Sequence, residues 1–314
     1  MSWNETVLES IIEVVTKGTT PTTYGMPFTD EGVNFVKAEA LNGDVSLERS
    51  GFTFITEATH EKLKRSQLAK DDVLITIAGA NVGKCGFVRE EDLPANTNQA
   101  VGIVRVDPEK ALPRFVYYHF KNPSTFTICQ SFGGQAAQPN INLTVLKGMK
   151  LKLPNIPIQE KIVDLLSSYD ELIKNNRRRI QLLEDSARLL YQEWFVYLRF
   201  PGHEHVRIVD GVPEGWSKEP LENLLILQRG FDLPSNNRVD GSIPIYASTG
   251  VNGFHNQAKV KGPGVVTGRS GSLGTVMYVS KDHWPLNTAL WVKGFKKVGY
   301  VIVNYGIFYF FFIK

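Results

Sequence analysis

Residues 158–197 read IQEKIVDLLSSYDELIKNNRRRIQLLEDSARLLYQEWFVY. Positions of one kind recur in steps of four and three: Ile162, Leu166, Tyr169, Ile173, Asn176, Ile180, Leu183, Ala187, Leu190 and Trp194, with Asn176 the polar exception. A seven-residue period places one stripe along a single helix face, and such a helix buries its seam against another helix. A lone seam Asn is a device for fixing register. Pro157 suits the first turn, and Phe200-Pro201-Gly202 ends the element. About forty residues at ~1.5 Å each predict a rod of roughly 60 Å. Leu165 and Leu172 flank the seam early; Leu182, Leu189 and Val196 flank it later on the other side. That drift is expected of a 3.6-residue helix that also packs on globular neighbours.

Upstream, the pattern is one of short strands. Val73-Leu74-Ile75-Thr76-Ile77 is a compact β-branched run ending at Gly79, and Gly102-Ile103-Val104-Arg105-Val106 is another, stopped by Asp107-Pro108. Phe115 to Phe120 reads as a short helix lying on that sheet, and Pro154 and Pro157 close the unit. Downstream the unit starts again. Leu8-Glu9-Ser10-Ile11-Ile12 leading to Lys17-Gly18 is echoed by Leu221-Glu222-Asn223-Leu224-Leu225 leading to Arg229-Gly230. Leu74-Ile75-Thr76 is echoed by Val265-Val266-Thr267, and Asn98-Gln99-Ala100-Val101 by Asn287-Thr288-Ala289-Leu290. The expected fold is therefore α+β: two mixed α/β domains of short strands joined by a long coiled-coil spacer helix. The expected boundaries are 1–155, a spacer at 156–200, a linker at 201–215, and an incomplete second domain at 216–314. An atypical aromatic tail follows from about 296, with Tyr300, Tyr305 and Phe308 to Phe312.

Composition narrows the function classes. Hydrophobic residues at 42% and charged residues at 21% describe an ordinary globular chain, and 35 Lys+Arg against 32 Asp+Glu leave a net charge of only +3. Binding to a polyanion must then come from local clustering. Cys85 and Cys129 fit a reducing compartment, the N-terminus lacks a signal-sequence pattern, and the cytoplasm is the expected location. The tail is too short to span a membrane and is interrupted by Gly299, Asn304 and Gly306. Gly79-Ala80-Asn81-Val82-Gly83-Lys84-Cys85 resembles a phosphate loop, but its glycines are too close and Cys85 stands where a hydroxyl would hold Mg²⁺. A tight turn between strands is the better account. His203-Glu204-His205 has the wrong spacing for a helical zinc pair. No catalytic set, metal or cofactor is expected.

Two similar modules on a stiff rod suit an extended, repetitive partner, and double-stranded DNA is the natural one. Reading bases needs Arg or Lys for guanine and Asn or Gln for adenine, while phosphates need Lys, Arg and hydroxyls. In the first domain the candidates are Lys17, Thr19, Thr20, Thr22, Thr23 and Tyr24, then Lys62, Lys64, Arg65, Ser66 and Gln67, with Asn81 and Lys84 in the glycine turn. In the second they are Arg229, Asn236, Asn237, Arg238, Arg269 and Ser270. Gln135, Gln138 and Asn140 are expected to brace the turn into the rod, and Lys174 with Arg177 to Arg179 to form an exposed helix face.

With repeat and rod in place, the chain resembles specificity subunits of type I restriction-modification systems. The resemblance is carried by Gly133-Gly134-Gln135-Ala136-Ala137-Gln138-Pro139-Asn140-Ile141, then Leu151-Lys152-Leu153-Pro154 and Ile158-Gln159-Glu160-Lys161-Ile162. This looks like the family's exit from a target-recognition domain into its spacer helix. Leu183-Glu184, Leu190-Tyr191 and Glu193-Trp194-Phe195 resemble the later part of that helix. The resemblance implies a non-enzymatic DNA reader in which each recognition domain takes half of a split site and the spacer sets the gap. It also implies methylation subunits and a restriction subunit as partners, with S-adenosylmethionine bound by a partner. In such subunits a second spacer helix pairs with the first. Here the second copy departs from the pattern after Trp291-Val292-Lys293, which suggests a reading-frame shift or internal stop near Lys296-Lys297 and leaves the stripe to dimerise or aggregate. Two other readings stay open: a structural adaptor that binds proteins through rod and modules, and an inactive reservoir of recognition-domain sequence.

Overall fold

The computed structural model describes residues 3–41, 45–79, 81–132, 140–216, 220–273 and 275–296. The aromatic tail beyond 296, the junction residues 133–139 (Gln135 and Gln138 among them), Ala80 and Gly274 lie outside the described residues. The chain divides into two compact units, Met1–Arg179 and Ile180–Lys314.

The first unit runs β1 (Asn4–Val7), β2 (Ile12–Lys17), β3 (Val33–Val36), β4 (Phe52–Ile55), α1 (Glu57–Lys62), β5 (Val73–Thr76), β6 (Cys85–Phe87), β7 (Ala95–Thr97), β8 (Val101–Val106), α2 (Pro113–Lys121), α3 (Pro123–Ser131), α4 (Leu143–Lys147), β9 (Lys150–Leu153) and α5 (Ile156–Tyr191). Four strands form an antiparallel sheet in the order β2-β8-β5-β6, and three form a second sheet, β4-β3-β7, in which β3 and β7 are parallel. Alternation along the strands explains how one sheet serves two cores. Val73 and Ile75 of β5, with Val104 and Val106 of β8, pack on Val116, Tyr117 and Phe120 of α2. Leu74, Val101 and Ile103 point the other way, onto Val36, Leu41 and Leu47. Each such side chain contributes roughly 1.5–3 kcal/mol on burial. Pro113 and Pro123 occupy first-turn positions of α2 and α3, and Asn142 caps α4 by accepting the Val145 N–H at 2.8 Å.

The second unit carries a small hairpin, β10 (Ile208–Val209) with β11 (Val212–Pro213), inside the stretch expected to be a plain linker. Then follow β12 (Leu225–Arg229), β13 (Ile243–Ala247), β14 (Gly250–His255), β15 (Gly264–Gly268), β16 (Val276–Val279), β17 (Trp284–Pro285) and β18 (Ala289–Phe295). Their sheets are ordered β12-β18-β15-β16 and β14-β13-β17, with β13 and β17 parallel. Strand for strand this is the connectivity of β2 to β8, so the repeat read from sequence is a repeat of topology. The mixed α+β architecture with many short strands and one long helix is as expected.

The long helix differs from expectation in how it meets its neighbours. Its flanking apolar residues Leu165, Leu172, Leu182 and Leu189 are exposed, as are Ile173, Ile180 and Leu183 of the seam. The buried residues of α5 are instead Gln159 and Asp170. Gln159 accepts the Leu112 N–H at 2.9 Å and donates to the Pro154 carbonyl at 2.8 Å. Asp170, only 6% exposed, accepts the Tyr118 hydroxyl at 2.7 Å and lies 3.6 Å from Lys121 Nζ and 3.8 Å from Arg114. Glu171 pairs with Arg89 at 3.4 Å, and Lys174 with Glu91 at 3.3 Å. A polar face thus holds the helix while the apolar stripe stays open. The α-helix stops at Tyr191, short of the expected end near Tyr197, because the next turn, Gln192–Val196, is a π-helix. The Tyr197 N–H reaches back to the Gln192 carbonyl at 2.9 Å, and Phe195 and Phe200 gather on Trp216 at ring distances of 5.6 and 5.0 Å. Trp194, the last expected seam residue, lies in this turn and is half-buried.

His283 is fully buried in the second unit. Its Nδ1 donates to the Lys281 carbonyl at 3.0 Å, since a carbonyl can only accept, and its Nε2 has no partner. Burial pushes its pKa below the ordinary 6.5, against the pull of that carbonyl and of Asp282. His119 of α2 is lowered by burial in the same way.

Two outcomes follow from these contacts. Asp170→Ala leaves Arg114, Lys121 and the Tyr118 hydroxyl without their acceptor and should cost on the order of 2–4 kcal/mol in denaturant unfolding; Tyr118→Phe, losing the bond to Asp170 and the one accepted from Arg114, should cost about 1–2 kcal/mol. For His283, the unfolded chain takes up the proton first, so stability is full above the unfolded value of 6.5 and declines as pH falls through the lower folded value. The acid-side slope between wild type and His283→Gln should therefore diverge below about pH 6.5 in thermal melts, the variant being less acid-sensitive.

Candidate nucleic-acid interface

β2 ends at Lys17, and the chain then passes the corner where β7, of one sheet, turns into β8, of the other. The Gly18 N–H donates to the Val101 carbonyl at 3.1 Å and the Thr19 N–H to the Thr97 carbonyl at 2.9 Å. A Cβ on Gly18 would fall well inside contact distance of the Thr97 and Asn98 carbonyl oxygens, so only glycine permits this approach. A 3-10 turn at Pro21–Tyr24, closed by Gly25 at φ +71°, then carries the threonines and Tyr24 outward; Tyr24 is 66% exposed. From the opposite side comes Arg65, on the 3-10 turn after α1, whose Nη2 donates to Thr19 Oγ1 at 3.1 Å. A third wall forms where the Ile141 N–H bonds the Ile77 carbonyl at 2.8 Å and Ala78 bridges Asn140.

These segments enclose a cleft of about 510 Å³ whose lining includes Lys17, Thr19, Thr23, Tyr24, Arg65, Gln99 and Asn140. Lys17 and Arg65 are its charged groups, and no acidic side chain is among the described residues that line it. Lys62 lines an adjoining hollow with Thr19, Tyr24 and Arg65. The structure thus brings Lys17, Thr19, Thr23, Tyr24 and Arg65 together from the expected set. Thr20, Thr22 and Lys64 stand beside them in the chain without lining the cleft. Ser66 is buried: its hydroxyl donates to the Leu63 carbonyl at 2.9 Å and accepts from Asn96 at 3.1 Å. Gln67 donates to the His60 carbonyl at 2.9 Å. Asn81 and Lys84 sit in the β5–β6 hairpin, where the Lys84 N–H bonds the Asn81 carbonyl at 3.0 Å and the Thr76 N–H bonds the Lys84 carbonyl at 2.8 Å. The glycine-rich stretch is that strand turn, with Gly79 and Gly83 at φ +94° and +87°.

The equivalent corner recurs in the second unit. The Phe231 N–H donates to the Pro285 carbonyl at 2.8 Å, and a Cβ on Gly230 would strike the Leu286 and Pro285 oxygens. Arg229 and Arg269 both stand there, exposed. Arg269 donates to the Asn287 carbonyl at 3.3 Å, and its N–H bonds the Thr288 carbonyl at 2.9 Å. Unlike the first corner, this one includes an acid: Asp232 pairs with Arg229 at 3.3 Å and accepts from the Asn287 amide. Ser270, next to Arg269 in the chain, is exposed; Asn236 and Asn237 are exposed as well, whereas Arg238 is committed to the Asn252 carbonyl and side chain at 2.8 and 3.1 Å.

Two further features bear on chemistry. Glu57, His60 and Glu61 of α1 offer ligand atoms within 4.8 Å of one another, with both glutamates exposed; His60 Nδ1 is already engaged with Asn96 Oδ1. Burial pushes the Cys85 thiol up to about 12 and Cys129 to about 11, so both stay protonated and unreactive at neutral pH. Among the described residues no helix is long and apolar enough to cross a membrane. Gln99 and Asn140 were not among the expected contacts. Asn98-Gln99 was visible only as a repeat element, and Asn140 was expected to brace the helix entry.

Comparison with known proteins gives consistent matches. Residues 2–185 match the family described as type I restriction modification DNA specificity domain. The chain is 24% identical over 237 residues to the type I restriction enzyme MjaIX specificity subunit of Methanocaldococcus jannaschii, covering 74% of this chain and 54% of that protein. It is 32% identical over 168 residues to the type I restriction enzyme EcoBI specificity subunit of Escherichia coli, covering 51% of this chain and 33% of that protein. The chain thus spans about half and a third of the length of these two relatives. Among solved structures, the S subunit of a type I restriction-modification system from M. genitalium superposes with a TM-score of 0.51 at 18% identity, covering 93% of this chain and 72% of the other. That likeness concerns the fold.

Proposed function

We propose a reading that starts from one fact: this chain belongs to the type I restriction modification DNA specificity family. In it, the chain reads DNA sequence for a restriction-modification complex and leaves methyl transfer and cleavage to partner subunits. The observation that supports this most is the acid-free cleft at the β7–β8 corner, with Lys17 on one side and Arg65 on the other. Paired cations at such a corner suit phosphates, and the polar groups between them suit base edges. The second corner, with Arg229, Arg269 and Ser270, serves the second half of a split site, and α5 is the spacer. No step of the proposed role asks this chain to bind S-adenosylmethionine.

The open stripe on α5 takes a second helix, from a methylation subunit or from a second copy of this chain. For a second copy, antiparallel pairing with Ile180 opposite Leu183 also sets Ile173 opposite Leu190 and Asn176 opposite Ala187. The same register brings Arg177 near Glu184 of the other copy, twice by symmetry. Opposite charges at such flanking positions select orientation.

Titrating a mixed-sequence duplex at increasing salt tests the DNA reading. Affinity should fall linearly on a log–log plot, with a slope of about −0.9 per phosphate contacted, and Lys17→Ala and Arg65→Ala should each flatten the slope by about one while weakening all sequences alike. Salt-independent binding would count against it. For the stripe, sedimentation at micromolar concentration should show a dimer that Ile180→Asp or Leu183→Asp converts to monomer; a well-behaved wild-type monomer would exclude pairing between copies.

A further inference from the structure

We infer that Gln99 is a specificity-determining residue of the first unit and that it selects adenine. The inference rests on the DNA reading proposed above and goes further by naming a side chain and a base. Gln99 occupies the turn between β7 and β8, where the chain passes from one sheet to the other. Asn98 fixes that turn twice: its side-chain oxygen accepts the Ala100 N–H at 3.2 Å and its carbonyl accepts the Val101 N–H at 3.1 Å. Gln99 is exposed at the tip and lines the cleft with Lys17 and Arg65. An amide offers a donor and an acceptor side by side, the complement of adenine N6 and N7 in the major groove.

Elimination among neighbouring amides leads to the same residue. Asn142 is spent capping α4, and Asn96 is fully buried with both its donors and its acceptor engaged. Asn140 remains, on the wall opposite through its bridge to Ala78, but its side chain is one methylene shorter than that of Gln99. Gln99 therefore combines reach with a backbone already held by the turn, so little ordering cost falls on binding. At the matching place the second unit has Thr288, whose single hydroxyl cannot make the paired contact. The second corner therefore lacks this adenine contact, and the preferred site is asymmetric.

The test uses the full chain and a pool of randomised duplexes. Sequences retained by the wild type define the site, and each adenine in it is then replaced by 7-deazaadenine, which lacks the N7 acceptor. One such replacement should weaken the wild type roughly tenfold and leave Gln99→Ala unaffected. Gln99→Glu, which keeps the size but only accepts, should move the preference at that position from adenine to cytosine. If Gln99→Ala keeps the wild-type preference everywhere, or weakens every sequence equally, or if the adenine preference is lost with Asn140→Ala instead, the inference is overturned. In those cases the DNA reading still stands provided Lys17→Ala and Arg65→Ala weaken binding. If those two variants bind as the wild type does, the cleft itself is not the interface and both ideas fail together.

Discussion

Each unit turns between its two sheets at a strand corner with no room for a Cβ, and the polar cleft of the first unit is built on it. β7 belongs to the three-stranded sheet and β8 to the four-stranded one, so the chain must turn between sheets within a few residues. Gly18 lies against that turn so closely that its N–H and its missing side chain are both required. Gly230 does the same against Pro285 and Leu286. Because the outgoing strand is pinned there, the threonine-rich loop must leave from the same point, and Arg65 can reach across to Thr19. A polar cleft is then a by-product of how two sheets share an edge, and its chemistry can vary without disturbing the cores on either side. Lys17 against Arg229 and Gln99 against Thr288 show such variation on one frame.

The long helix solves a different problem. One unit holds it through polar contacts while its apolar stripe stays exposed. Asp170, Gln159, Glu171 and Lys174 make the hold directional, since each has defined partners in the first unit. A buried carboxylate is a weak source of net stability, because its desolvation offsets most of the attraction. Its value here is orientation: with Asp170 turned inward, Ile173, Ile180 and Leu183 stay exposed.

How much of this was legible in advance follows from the range of the interactions. The strands at Val73–Thr76 and Val101–Val106 and the stripe of α5 were readable because apolar β-branched runs and heptad spacing are local patterns that core formation demands, whereas periodicity alone did not settle the helix at Pro113–Lys121. The repeat was readable because its glycines and asparagines hold turns that each unit needs. The polar anchoring of α5 was not, because Asp170 meets Tyr118 and Lys121 across about fifty positions of sequence, and charged residues on a helix ordinarily face water. The π-turn at Gln192–Val196 was equally hidden, since its residues suit an α-helix as well.

The sequence by itself determined the principal core strands, the doubling of the module and the helix seam, because hydrophobic period acts over a few residues and survives any arrangement of the whole. Tertiary structure alone decided that Lys17, Arg65, Gln99 and Asn140 share one cleft while Ser66 and Gln67 are consumed inside the fold. The physical reason is that convergence of loops depends on where sheets cross and which backbone groups pair. A polar residue's type does not reveal whether its hydrogen bonds are spent within the protein or left for a partner.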